Sequence, residues 1–243
     1  MKGNKLEIVF CLKSISPLKA WELIFDSIDE SLDIAELPMS LYGEKIGLTS
    51  FNQKLKKTTL NNFHLELGEF IIKFSVVTAW EQILVVIEDH ASTCTVNLEA
   101  IGNVFAKEPG FVQAWITDLE YDYWQNATDP LEFKAVSRSY EGLPMKSNGL
   151  PPPLEQMEID ISLNPGRRII RVGYVEAVGH KMWFGSLFWS LVQNDVNEVL
   201  NVLNNFSCKD MNGTIQIVIQ EKPFDNQSSK SLMNDLRVSI FES

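Results

Sequence analysis

Residues 63–87 read FHLELGEFIIKFSVVTAWEQILVVI, and this stretch decides the expected fold. Residues 63–67 alternate apolar and polar side chains, which is the two-residue period of a half-buried strand. Residues 70–77 and 83–87 are rich in Val, Ile and Phe, which are residue types favoured in strands. Short polar segments separate the three runs, so the sequence predicts an antiparallel β-meander.

Outside this stretch, apolar side chains recur at three- and four-residue steps, which is the period of an amphipathic helix. Ser16 and Pro17 fit a helix start, because Ser can cap the amides and Pro fits the first turn. Strand-like and helical patterns do not alternate regularly along the chain, so we expect an α+β fold with a largely antiparallel sheet and helices packed on it. The predicted helices cover residues 17–32, 93–107 and 186–206, and residues 228–241 fit a helix or a last strand.

Turn and breaker residues concentrate in the second half of the chain. Residues 154–178 are expected to form another hairpin around Asn164-Pro165-Gly166. Residues 120–153 are expected to be irregular and end in three consecutive prolines, which fit a domain linker or a rigid surface crossing. We expect a single α+β domain over residues 1–243, with a subdivision near the Pro-rich segment 144–153 as the alternative.

The composition excludes several classes of protein. The 243 residues are 45% hydrophobic and 22% charged, which is typical of a globular chain rather than a disordered one. The 32 Asp and Glu outnumber the 21 Lys and Arg, giving a net charge of −11. Phosphate contacts need the opposite balance, so we expect neither a nucleic-acid nor a membrane partner.

The sequence offers no targeting segment and no metal-binding spacing. No secretory signal or membrane-spanning run is recognised, and Cys11, Cys94 and Cys208 are far apart. We therefore expect reduced thiols, no disulfide, no structural metal, no cofactor and a cytoplasmic location. The oligomeric state is left open.

No standard catalytic or nucleotide-binding motif is present. The histidines, at 64, 90 and 180, are isolated in sequence, and an isolated His is not by itself a catalytic base. Glu158 and Asp160 share one face of a predicted strand, where such a pair could hold a divalent metal or share acid–base work. The favoured interpretation is a solvated strand face. We therefore expect no catalytic residues and a protein that is not an enzyme.

Residues 118–129 interleave acidic and aromatic side chains. They lie in the most acidic part of the chain, since residues 74–133 contain ten acids and one base, Lys107. A concentrated negative field steers a basic partner, and Tyr and Trp supply anchor area at protein contacts. The alternative is a solvated acidic loop whose aromatic side chains fold back on the core. The candidate partner-binding residues are Asp118, Glu120, Tyr121, Asp122, Tyr123, Trp124 and Asp129.

Residues 164–189 form the second distinctive run. Two Trp and two Phe within residues 183–189 are typical of an aromatic layer where a helix packs on a sheet. Arg168, Arg171 and His180 could instead border a ligand cleft. That alternative would make the protein a small-molecule-binding protein or an enzyme.

The same run carries a resemblance. Pro165-Gly166-Arg167-Arg168, Gly173-Tyr174, Met182-Trp183-Phe184-Gly185 and Phe188-Trp189 resemble the bacterial immunity proteins of polymorphic-toxin systems, in particular the immunity protein 52 group. The resemblance covers about a tenth of the chain and includes no catalytic motif. It implies a non-enzymatic inhibitor that binds a cognate protein toxin, often a nuclease, and it assigns no contact residues. Together with the acidic segment, it predicts a basic toxin as the partner.

Overall fold

The computed structural model describes residues 2–28, 34–91, 96–226, 228 and 230–242. These residues form one ten-stranded sheet, two separate two-stranded sheets and eight α-helices. The strands are β1 (Asn4–Cys11), β2 (Met39–Leu41), β3 (Glu44–Lys45), β4 (Phe63–Leu67), β5 (Phe70–Val77), β6 (Gln82–Asp89), β7 (Phe111–Asp118), β8 (Met145–Ser147), β9 (Met157–Ile159), β10 (Ile169–Arg171), β11 (Tyr174–Glu176), β12 (Lys181–Phe184), β13 (Ser207–Asp210) and β14 (Ile215–Val218). The helices are α1 (Pro17–Ser27), α2 (Leu48–Lys56), α3 (Leu98–Phe105), α4 (Leu119–Asn126), α5 (Pro130–Ala135), α6 (Ser186–Val192), α7 (Val196–Val202) and α8 (Lys230–Phe241).

The large sheet has ten strands in the order β13-β14-β12-β7-β1-β6-β5-β4-β2-β3. All of its neighbouring pairs are antiparallel. The predicted meander is confirmed as β4, β5 and β6, and the α+β fold with a largely antiparallel sheet is confirmed with it. Strands from both sides of the Pro-rich segment belong to this sheet.

The sheet separates two hydrophobic cores. Its first face packs on α1, α2 and α3, which bury Trp21, Phe51 and Phe105. Its second face packs on α4, α6, α7 and α8 through side chains such as Phe188 and Leu236. Burial of each large apolar side chain contributes roughly 1.5–3 kcal/mol, so both layers are needed for stability.

The predicted hairpin over residues 154–178 is wrong. β9 pairs with β8, and β10 pairs with β11, so the two halves of the expected hairpin have different partners. Gly173, with a φ of +82°, closes the tight β10–β11 turn. The backbone amides of Gly166 and Arg168 instead donate hydrogen bonds to the side-chain oxygens of Gln125 and Asn126 in α4. These two amides are therefore not used in strand pairing.

Two other predictions need correction. The first part of the expected irregular stretch, residues 120–153, is helical, because Asp118 caps α4 and Asp129 caps α5. The expected helix over residues 186–206 divides into α6 and α7, because Gln193 adopts a left-handed φ of +59° and Asp195 caps a new helix. Residues 29–32 and 93–95 of the other predicted helices lie outside the described residues.

Candidate functional site: helix α4 and its two flanking clefts

Helix α4 contains most of the acidic and aromatic residues singled out above. The Asp118 carboxylate accepts a hydrogen bond from the Tyr121 amide at 2.7 Å and caps the helix. Tyr121 is buried, and its hydroxyl donates to the Met233 sulfur in α8 at 3.2 Å. Burial, aided by the nearby Asp225 charge, raises the pKa of Tyr121 to about 12. Tyr121 is therefore a protonated core residue that fixes the inner side of α4.

A buried ion cluster lies under the same helix. Lys5 and Glu7, two residues apart on β1, point to the second face of the sheet, and their charged groups are 2.6 Å apart. Lys5 also binds Asp122, and Arg168 binds Glu7 at 2.9 Å and lies 3.6 Å from Asp122. Glu7 is only 1% exposed and Asp122 only 5%. Each cation contacts both carboxylates, so the cluster links β1, α4 and the residues before β10.

The two carboxylates of this cluster differ in proton affinity. Burial would raise the pKa of Glu7, but the charges of Arg168 and Lys5 outweigh burial and hold that pKa below its usual value. Burial and the neighbouring Glu7 charge raise the pKa of Asp122, because its two cations offset them only in part. The Glu7 charge raises the pKa of Arg168. Glu7 is therefore the more firmly ionised carboxylate.

A second ion pair lies beside the buried cluster, on strands β5 and β6 of the same sheet face. Lys73 on β5 binds Glu88 on β6 at 2.6 Å, and the His90 ring lies 3.2 Å from the same carboxylate. Glu88 is directly opposite Lys5 in the β1–β6 register. Burial would raise the pKa of Glu88, but Lys73 and His90 lower it below its usual value. This pair is more exposed than the buried cluster.

A cleft of about 410 Å³ opens beside these charges, between α4–α5 and the β5–β6 part of the sheet. We call it the charged cleft. Its apolar lining includes Leu119 and Ala127, at the two ends of α4. Its charged lining residues are Lys5, Lys73, Glu88, Asp122, Glu132 and Arg168.

The rim of the charged cleft is acidic and aromatic. Tyr123 is 36% exposed, and its hydroxyl donates to the Glu132 carboxylate in α5 at 2.6 Å. Its ring meets Trp124 edge to face at 4.9 Å. Glu120 and Asp129 are exposed nearby in the chain, and the Asp129 carboxylate accepts from the Leu131 amide at 2.8 Å. The rim is therefore held in place by hydrogen bonds and ring contacts.

A second cavity, of about 260 Å³, lies on the other side of α4. Tyr121, Trp124 and Phe133 supply its aromatic lining, and Asp160 and Asp225 add carboxylates. The Arg138 guanidinium stacks over the Trp124 ring at 4.6 Å. Helix α4 is thus a short ridge between two concavities.

The segment that carries the family resemblance packs on the end of this ridge. The Asn164 side-chain amide donates to the Gln125 carbonyl at 2.9 Å, and the Gly166 amide donates to the Gln125 side chain at 3.0 Å. The Arg168 amide donates to the Asn126 side-chain oxygen at 2.7 Å. The two distinctive stretches of the sequence therefore form one structural unit.

Helix α8 holds the same segment from below. Arg237 is only 1% exposed, and its guanidinium donates to the backbone carbonyls of Pro165, at 3.4 Å, and Arg167. Burial and the nearby Arg167 charge lower the pKa of Arg237 to about 10, which leaves the group charged at neutral pH. A buried cation thereby satisfies carbonyls that a loop would otherwise leave unpaired.

Three of the four aromatic residues at 183–189 form the expected layer between helix and sheet, whereas Trp183 packs on the opposite face, where its indole N–H donates to Asn103 in α3. Phe184 on β12 and Phe188 on α6 have ring centroids 4.5 Å apart, and Trp189 lies 5.1 Å from Phe188. A Cβ atom on Gly185 would lie 2.6 Å from the Phe111 carbonyl oxygen, so only glycine fits there without a backbone shift. These residues are core rather than surface.

Arg168, Arg171 and His180 bind three different groups. Arg168 lines the charged cleft and binds Glu7, whereas Arg171 binds Glu176 at 2.6 Å. His180 is buried, and its Nδ1 lies 2.9 Å from the Ile116 carbonyl oxygen. Burial lowers the pKa of His180 to about 4, so the ring is neutral near pH 7. His180 fits the role of a satisfied core histidine.

The structure places the sequence-predicted partner residues in three groups: helix caps, inward-facing residues, and exposed or half-buried residues. Asp118 and Asp129 are helix caps, while Tyr121 and Asp122 face inward. Glu120 and Tyr123 are exposed, and Trp124 is half-buried between the rim and Phe133. Whether any of them contacts a partner stays a prediction.

Sequence reasoning missed four charged residues of the sheet, Lys5, Glu7, Lys73 and Glu88. It also did not identify Glu132 in α5 as a site residue. The available signal was weak. Lys5 and Glu7 alternate with Leu6 and Ile8 in the way that an exposed strand face does. Only the position of α4 turns this face into a buried one.

The remaining candidates have ordinary surroundings. Glu158 and Asp160 lie 3.7 and 3.6 Å from the Lys146 ammonium. No cluster of three or more metal-ligating side chains occurs in the described ranges. Cys11 and Cys208 are free thiols, and Cys94 lies outside the described residues. Among the helices that the structure describes, none combines the length and apolarity needed to cross a membrane.

Comparison with solved structures finds the same fold elsewhere. The chain is similar to the Pseudomonas aeruginosa T6SS protein PA0821, with a TM-score of 0.58 and 12% sequence identity. The alignment covers 99% of this chain and 72% of the other. No protein-family model matches the sequence, and no curated protein matches it. At this identity the likeness concerns the fold alone.

Proposed function

We propose that this protein is a non-enzymatic immunity protein that neutralises a cognate, basic protein toxin. The observation that carries the proposal is the α4–α5 surface, where exposed acidic and aromatic side chains stand on a rigid base. Glu120 and Tyr123 project outward, while Asp118, Tyr121 and Asp122 fix the helix from within. Pre-organised anchors lower the entropy cost of binding, which suits a tight inhibitor.

Two further points support the proposal. Residues 165–168, the first of the four motifs that carry the resemblance to immunity proteins, pack directly against α4. The structural neighbour is described as a T6SS protein, which is compatible with a secretion-related immunity protein. A nuclease is the toxin class that the family resemblance suggests, and an acidic surface suits the basic active site of such an enzyme.

Co-expression with the product of the adjacent gene tests this function. We expect the two proteins to co-purify as a complex, and we expect this protein to restore growth of cells that make the neighbour's product. A triple variant, Asp118→Asn, Glu120→Gln and Asp129→Asn, should weaken the complex. The proposal fails if the neighbour's product is harmless, or if it is toxic and neither binds nor is neutralised.

A further inference from the structure

The charged cleft is large enough to admit one long side chain. Its volume of about 410 Å³ falls within the range of about 300–1,000 Å³ seen for ligand pockets. Leu119 and Ala127 give it an apolar stretch, and Tyr123 adds a ring at the rim. A lysine or arginine has a complementary shape, because its aliphatic stem packs on apolar surface while its head remains polar.

The cations within the cleft are already paired. Lys5 contacts both Glu7 and Asp122, and Arg168 lies within 4 Å of the same two carboxylates. Lys73 is bound to Glu88. Three cations are therefore matched by three carboxylates.

One carboxylate remains. Glu132 accepts a hydrogen bond from the Tyr123 hydroxyl, and among the described residues no Lys or Arg nitrogen lies within 4.0 Å of it. Counting Glu7, the cleft and its floor hold four carboxylates and three cations. The site is thus short of one positive charge, and the uncompensated carboxylate is that of Glu132.

We infer that the charged cleft receives a lysine or arginine side chain of the partner protein, with its cationic head against Glu132. The inference rests on the proposed function and names the partner's anchoring residue type. The Tyr123 ring lies beside the same position, where an aromatic ring favours a cation.

A soluble probe tests the cleft without the toxin. We expect N-acetyl-L-arginine methylamide to shift the NMR signals of the Asn126 and Thr128 amides, with saturation at about 1–10 mM, as for a weak single-residue contact. The citrulline analogue has nearly the same shape without the charge, so it should bind at least tenfold more weakly. Glu132→Gln keeps the acceptor for Tyr123 and should abolish the preference for arginine. Glu22→Gln, exposed on α1 at the opposite face of the sheet, should not.

The results separate this inference from the proposed function. Equal binding of the two probes, no saturable shift, or an unchanged preference in Glu132→Gln would overturn the cleft assignment. If the adjacent gene's product forms a complex that Glu132→Gln leaves as tight as Glu22→Gln does, the function stands and the cleft assignment fails. If arginine binds the cleft through Glu132 but the neighbour's product does not bind, the immunity function fails instead.

Discussion

The Arg168 guanidinium donates hydrogen bonds through one nitrogen to both carboxylate oxygens of Glu7, at 3.0 and 2.9 Å. This contact joins the segment that resembles immunity proteins to the first strand of the sheet. The ion pair lies beneath α4, where the Asp122 carboxylate is 3.6 Å from the same guanidinium. The position of α4 therefore depends on charged groups of β1 and Arg168 that lie beneath the helix.

Glu7→Gln should destabilise the protein by about 3 kcal/mol, because it leaves the buried Lys5 and the half-buried Arg168 with one carboxylate between them. Asp122→Asn should cost less, since Glu7 is hydrogen-bonded by both Lys5 and Arg168, whereas Asp122 is bonded by Lys5 and lies 3.6 Å from Arg168. Urea unfolding at pH 7 measures both losses. Glu22→Gln, on the exposed face of α1, should change stability by no more than about 0.5 kcal/mol. An Asp122→Asn loss equal to or larger than that of Glu7→Gln would contradict this ranking.

Neutralising the exposed Glu120 and Asp129 together with the half-buried cap Asp118 should slow association with the partner and flatten its salt dependence, because rim charges act mainly on encounter. The suitable variant combines Asp118→Asn, Glu120→Gln and Asp129→Asn. Asn preserves both helix caps, and Asp122 is left intact because it is buried. Stopped-flow or surface-plasmon measurements over a range of ionic strength give the rates. An unchanged association rate would leave the acids as a solvated face.

Tyr123→Ala should speed dissociation of the complex, at a cost of about 2 kcal/mol or more if Tyr123 is a binding hot spot. Phe25→Ala on α1 is the matched control, because both rings are 36% exposed and lie on opposite faces of the sheet. The ratio of the two dissociation rates separates binding from general surface effects. Similar rates for the two variants would remove Tyr123 from the contact.

His180 should make the protein less stable as the pH falls from 7 to 5. Its pKa is about 4 in the fold and about 6.5 in an unfolded chain, so the unfolded state binds the proton first. The contribution of the neutral His180 to the free energy of unfolding is fully present above the pKa of the unfolded chain. It falls as the pH drops from about 6.5 towards 4, and the loss is about 2 kcal/mol at pH 5. His180→Asn keeps a donor near the Ile116 carbonyl and should remove this part of the pH dependence. Equal pH slopes in the two proteins would show that His180 is not the titrating group.

Gly185→Ala should cost about 1–3 kcal/mol, because the new methyl group would lie 2.6 Å from the Phe111 carbonyl oxygen. Gly47→Ala provides the control. Both glycines cap a helix with ordinary extended backbone, but a Cβ on Gly47 would meet no atom within 4 Å. Thermal unfolding of the two variants should differ clearly. Equal losses would show that capping, and not the close approach to β7, accounts for the cost.

The sequence predicted the elements whose pattern is local. The meander followed from alternation within residues 63–87, and the aromatic layer followed from residues 183–189. Helix α4 was not predicted, because Asp, Tyr and Asn have modest helix propensity and its caps resemble ordinary loop residues. The hairpin over residues 154–178 was predicted wrongly, because its turn is paired with α4 side chains that lie far away in the chain.

The candidate site was only half visible in the sequence. The acidic and aromatic stretch was found by composition, but its division into caps, buried residues and exposed residues depends on tertiary packing. The ion cluster was missed because a charged, alternating strand face has the same pattern whether water or a helix covers it. Burial of Lys5 and Glu7 is a property of the fold, and no single segment encodes it.

Helix α4 uses its buried side chains for folding and leaves others exposed. This separation bears on how binding specificity could diverge under the proposed function. Inward-facing Tyr121, Asp122 and Asn126 secure the helix, whereas the side chains of Glu120 and Tyr123 are exposed. Substitutions at the outward positions can therefore alter partner choice at little cost in folding. Under the proposed function, a lineage could exchange one toxin for another by changing a few side chains on an unaltered scaffold.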